Sequence, residues 1–164
     1  MWWRRLRYLL VLVALCAIAT CPAAKRSCTA RVRAAEADRL LGYLAERVAA
    51  HVAATGRVPP TAAGPTPQAA CCAQGGECSA DPVLWDAAGW RALAFSVDGA
   101  HRYAYQYAPD PSGLAATLRA AADLDCDGTV SIVEVKLTVA DGKVAQVWSR
   151  GTGGGSGAPG SGSN

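Results

Sequence analysis

The sequence is poor in the bulkiest apolar residues, with one phenylalanine and one methionine in 164 positions. Much of its 51% hydrophobic content is alanine, so a core has to be built from Leu, Val, Tyr and Trp. It has no Cys-x-x-Cys pair, and its two histidines, His51 and His101, stand far apart. Those gaps exclude the usual zinc spacings. Net charge is small, +3, with the basic residues spread out, which argues against a nucleic-acid partner. No Ser/His/Asp or Cys/His set stands in a recognisable local motif, so the expected function is non-enzymatic.

Absence of charge is itself a signal at the start of the chain. After the basic opening MWWRRLR, the run from Tyr8 to Ala24 carries no charged residue, and Lys25-Arg26 closes it. Tyr8, Leu9, Leu10, Val11, Leu12 and Val13 begin this run. About 17 residues make roughly 25 Å of helix, between a signal-peptide core and a short membrane anchor. Cleavage signals are poor: Ala17-Ile18-Ala19 is an A-x-A, and Thr20 before Cys21 spoils a lipobox. An uncleaved or lipid-aided anchor is favoured over simple secretion, and either puts the body beyond the cytoplasmic membrane.

Against these shortages, cysteine is plentiful, with seven in the chain. Cys16, Cys21 and Cys28 lie in or just after the apolar run. Cys71, Cys72, Cys78 and Cys126 lie in the body, and behind an export-type leader they read as disulfide partners. Four cysteines allow three connectivities.

From Thr29 to Thr55 no proline intervenes, and Leu40/Leu41, Leu44, Val48 and Val52 recur at three- and four-residue steps. This predicts an amphipathic helix, ended by Gly56 and Pro59-Pro60. Residues 57–82, rich in Pro, Gly and Ala, read as a linker that disulfides would order. The period then changes to two. Trp90–Val97 and Arg102–Tyr107 read as strands around an Asp98-Gly99 hairpin turn, with Tyr103, Tyr105 and Tyr107 on one face. That face is core, or else a surface for stacking carbohydrate. Residues 114–122 fit helix or strand. Thr129–Ala140 is the clearest strand, Val133, Val135, Leu137 and Val139 facing one way and Glu134, Lys136 and Thr138 the other. Asp141-Gly142 turns into a last strand, Lys143–Trp148, before a flexible Gly/Ser tail.

Residues 123–134, DLDCDGTVSIVE, match the calcium-loop pattern D-x-D-x-D-G-x5-E. A helix should follow such a loop and bring the last glutamate back to the ion. Here a strand follows, so Asp127 and Glu134 should stand roughly 23 Å apart at about 3.3 Å per residue. The ligands of one calcium ion lie within about 5 Å of one another, so the sensor reading fails. Two readings remain. Asp123, Asp125 and Asp127, with a carbonyl near Thr129, hold a cation between two strands; or the turn is solvated, with Gly128 at positive φ and the aspartates capping backbone amides. Cys126, inside the loop, is a disulfide candidate toward Cys71 or Cys72.

In order and spacing, several of these pieces are similar to the type IV pilin and pseudopilin group, in particular a subgroup of bacterial pilin-like proteins. The similarity is carried by Ala35-Glu36-Ala37, Ala63-Gly64-Pro65-Thr66-Pro67 before Cys71-Cys72, and Cys78. It continues through Trp85, Trp90–Phe95, Tyr103–Tyr107 and Asp123–Gly128, over roughly residues 29 to 148. The family's glycine–phenylalanine processing junction is missing, as is its glutamate in the apolar segment; no acidic residue stands between Met1 and Arg26. A glycine is usual where Cys126 stands. The resemblance implies a minor subunit of a type IV pilus or a type II secretion pseudopilus, with other pilin-like subunits and the cytoplasmic membrane as partners.

The fold class expected is α+β, a long N-terminal helix packed on a small antiparallel sheet. Its parts are a signal or anchor segment (1–27), an amphipathic helix (28–56), a Pro/Gly/Cys-rich loop (57–89), a sheet domain (90–150) and a Gly/Ser tail (151–164). No cofactor is required, and calcium is the one candidate. The expected location is the cell envelope, with the body anchored to the inner membrane on its outer side or secreted after cleavage. The alternative function is a stand-alone exported binding module.

Overall fold

A computed structural model describes residues 34–154. The chain divides at Glu36 into two compact units, and the second holds the sheet and nearly all of the described helix. That helix, α1, covers residues 34–55. It is followed by β1 (Ala63–Thr66), two short 3-10 turns (Cys71–Gln74 and Pro82–Trp85), α2 (Ala88–Leu93), β2 (Ala104–Pro109), β3 (Ala115–Ala122), β4 (Thr129–Ala140) and β5 (Lys143–Gly154). The strands form one antiparallel meander in the order β1-β2-β3-β4-β5.

Leucine and valine at helical spacing fix how α1 sits. Leu40, Leu41, Leu44, Ala45, Val48 and Val52 are all buried, in one cluster with Tyr103, Tyr105 and Tyr107 of β2 and its approach, Leu118 of β3 and Val133, Val135 and Leu137 of β4. Each large side chain removed from water contributes about 1.5–3 kcal/mol. The helix ends as its sequence predicts: Gly56 takes φ 76° and its N–H donates to the Val52 carbonyl at 2.7 Å. The tyrosine face is core.

The expected fold class is corrected. Five strands, two of them twelve residues long, dominate the body, so the sheet is not small. The helix is described only from residue 34, and its expected continuation into the apolar N-terminal run lies outside the described residues. The expected membrane segment, Tyr8 to Val13, also lies outside them. No described helix is long and apolar enough to cross a membrane.

The larger sheet comes from segments whose sequences hide strands. Ala63–Thr66, within the expected linker, pairs with β2. It lies so close to its neighbours that a side chain at Gly64 would strike the Tyr105 carbonyl, and one at Gly89 the Ala62 carbonyl. Residues 115–122 are strand, their alternate residues Ala116, Leu118, Ala120 and Ala122 buried. Residues 151–154, expected in the tail, continue β5 opposite β4.

The expected strand at 90–97 is also corrected. Trp90 and Leu93, both buried, share one face of α2 at a three-residue step. Ala94 then turns into the left-handed region (φ 46°), and Phe95 and Val97 enter the core on irregular chain. Alanine's helix propensity and the Trp–Leu step outweigh the alternation. No hairpin forms at Asp98-Gly99; His101 instead pairs with Cys78 in an isolated bridge.

Candidate functional site

The acidic turn joins β3 to β4. One carboxylate oxygen from each of Asp123, Asp125 and Asp127 lies within 4.8 Å of the others, a spread that fits one calcium shell. The same groups already serve the backbone. Asp123 accepts the N–H of Asp127 at 3.2 Å and of Gly128 at 2.8 Å, while Asp127 accepts the Thr129 N–H at 2.7 Å. The last bond holds the Asp127 carboxyl below its ordinary range. Gly128 takes φ 91°. These bonds help set the shape of the turn, and Thr129 enters it through its amide and its side chain. Glu134 lies within β4, opposite Arg119 on one side and Ser149 on the other, so it is no ligand to the turn.

Cysteine ties this turn to the loop before α2. Cys71 bonds Cys78, and Cys72 bonds Cys126. Two of the three connectivities split the adjacent pair; in this one Cys71 closes a local loop and Cys72 reaches the β3–β4 turn. Cys71 and Cys78 are buried, whereas Cys126 is exposed. The Cys72 Sγ also lies 3.0 Å from the Asp123 carbonyl oxygen.

Opposite in character is a largely buried carboxylate near the point where α1 is first described. Glu36 accepts the N–H groups of Arg102 (2.8 Å) and Tyr103 (3.3 Å) and the Tyr105 hydroxyl (3.2 Å) through Oε1. The Arg102 guanidinium lies 3.6 Å from Oε2 and reaches Glu77 at 3.1 Å. Burial, and then the Glu36 charge, raise Tyr103 and Tyr105 above the ordinary tyrosine value. Sequence reading missed this role, although the signal was there: Glu36 heads the series Leu40, Leu44, Val48, Val52 at four-residue steps, placing a carboxylate on the buried face.

Beside Glu36, a groove of about 620 Å³ runs between α1 and residues 96–101, with Tyr43, Asp98 and His101 among its walls. His101 is 1% exposed, and its Nδ1 lies 3.0 Å from the Gly99 carbonyl, so Nδ1 carries a proton. Its ring stands edge-on to Trp85. His51 lies on α1, and among the described residues neither imidazole is hydrogen-bonded to a serine, aspartate or cysteine.

Compared with protein-family models, with curated proteins and with solved structures, the chain matches none.

Proposed function

We propose that this chain is a non-enzymatic cell-envelope protein, pilin-like in the order of its motifs, whose disulfide-bonded body lies beyond the cytoplasmic membrane. The observation that carries the reading is the pair of disulfides, Cys71–Cys78 and Cys72–Cys126. Such bonds persist in oxidising compartments and are rare in a reducing cytosol, and the uncharged run from Tyr8 to Ala24 supplies a route out. A minor subunit of a pilus or pseudopilus is the finer form of this reading.

A second reading, a stand-alone exported module, is favoured by the apolar stripe of α1. Leu40, Leu44, Val48 and Val52 are spent on the body's own core. What α1 offers outward over residues 39–50 is Arg39, Tyr43, Glu46 and Ala50, which is little for a neighbouring helix to bury. In this reading the acidic turn would be the place for a structural calcium ion.

Cell fractionation with intact-mass analysis tests both. A species in sheared surface fibres, processed within its first few residues, supports the subunit; a soluble monomer beginning near Thr20 to Lys25 supports the module. Recovery in the cytosol with all thiols reduced would sink the two together. Calcium is tested by thermal melting: no shift at millimolar calcium, or an equal shift in Asp125→Ala, removes the ion from the account.

A further inference from the structure

The two edges of the sheet are built in opposite ways. At one edge, β1 has four residues, an irregular register and a proline within it, and Pro67 follows at once. The edge is also held against α2, where the Trp90 indole donates to the buried Thr66 hydroxyl at 2.8 Å. Short, proline-bearing and covered edges are how proteins prevent strand addition. Among the described residues none of these devices is present at the other edge. There β5 runs twelve residues in unbroken register with β4, without proline, and the N–H and C=O groups of every second residue point away from β4.

Both faces of β5 also keep apolar side chains in water. Residues directly opposite in an antiparallel pair share a face. Trp148, opposite the core residue Val135, is therefore on the side of α1, and Val147, opposite Lys136, is on the other. Their exposures are 38% and 65%. On the helix side Arg150 reaches α1 through a 2.6 Å ion pair with Asp38.

We propose that the free edge of β5 pairs antiparallel with β5 of a second copy of this chain, about a two-fold axis perpendicular to the sheet at Val147. Such an axis sets Val147 against its own copy, Ala145 against Ser149, Lys143 against Gly151, Trp148 against Gln146 and Arg150 against Val144. The only charges on β5 are Lys143 and Arg150, and neither then stands opposite a like charge. Val147 covers Val147 on the outer face. The two Trp148 rings become diagonal neighbours on the helix side, within aromatic reach. The contact is self-complementary and closed, as two-fold symmetry requires, and the product is a continuous ten-stranded sheet. Membrane attachment and fibre assembly are not needed for it.

The test uses the full chain in detergent micelles, with mass measured by light scattering across a dilution series. Wild type should be dimeric, with a Kd at or below about 10 μM. Val147→Glu and Val147→Lys each place like charges face to face at the axis and should weaken the dimer at least about tenfold. Mixing these two variants should restore a dimer, because the opposed charges now attract. Position 147 is well exposed, so both should keep the melting temperature that wild type shows when diluted to monomer. If either does not, hydrogen exchange of the β5 amides in wild type, protected when concentrated and exposed on dilution, stands in. A monomer at about 100 μM, or a dimer that neither variant weakens, overturns the proposal. So does a monomer whose β5 amides lose protection when residues 155–164 are deleted, since the chain's own tail would then be the occupant.

Discussion

Single residues decide where this chain bends, and two of them show how differently such decisions are written in sequence. Gly56 announces its left-handed turn because glycine is the usual residue there, and the end of α1 is legible for that reason. Ala94 makes the corresponding turn after α2, its N–H donating to Arg91 and the next amide to Trp90. Alanine gives no such notice, which is why residues 90–97 read as strand. Its Cβ is strained there and, being exposed, contributes little packing. Ala94→Gly should therefore raise stability by about 0.5–1 kcal/mol, measured as a shift in urea midpoint with unchanged slope. A loss of stability would mean that the left-handed geometry is not what limits this turn. Glu36 is the complementary case: its charge hid an inward-facing role that only its four-residue phase with Leu40 revealed.

Whole elements were legible where one period ran long enough to beat its rivals. Alternation from Val133 to Ala140, in a β-branched run of twelve, made β4 legible to its end residues, and α1 was visible from its leucine and valine steps. Alanine-rich β3 fits either period, and burial of alternate residues against α1 settles it, a tertiary effect that no local pattern carries. β1 could not be read at all, because four residues in a proline-rich stretch acquire strand geometry only from β2 and the Trp90–Thr66 bond. The dependence of the sheet on α1 can be measured. Leu44 is fully buried at the centre of the stripe, and Leu44→Ala should cost about 2–5 kcal/mol. Tyr43→Ala, one residue away and half exposed, should cost well under half as much. Equal losses at the two positions would mean that α1 is not the lid of this core.

At the scale of the whole molecule, the presence of disulfides was readable from the four body cysteines, while their pairing was not, since it depends on where the sheet places Cys126. Two solution properties follow from the assembled body. Burial raises Tyr103, Tyr105 and Tyr107 above their ordinary value of 10.0. The native state thus holds protons that the unfolded chain gives up, and stability, intact below about pH 10, falls as the pH climbs above it. Phenolate absorbance of these three should appear only together with alkaline unfolding. The disulfides divide the remaining stability unequally. Cys72–Cys126 spans 54 residues and Cys71–Cys78 only 7, so loop closure assigns them about 4 and about 2 kcal/mol. The exposures run the other way: the long-range bond joins the half-buried Cys72 to the exposed residue Cys126, while both ends of the short one are buried residues. A dithiol reductant should attack Sγ of Cys126 and expel the Cys72 thiolate; its second thiolate then closes the reductant's own disulfide and expels the Cys126 thiolate, before Cys71–Cys78 is touched. Peptide mapping along a reductant titration should find a species reduced only at 72 and 126, already less stable by the larger amount. Simultaneous loss of both bonds would show instead that the body opens globally before either sulfur is reached.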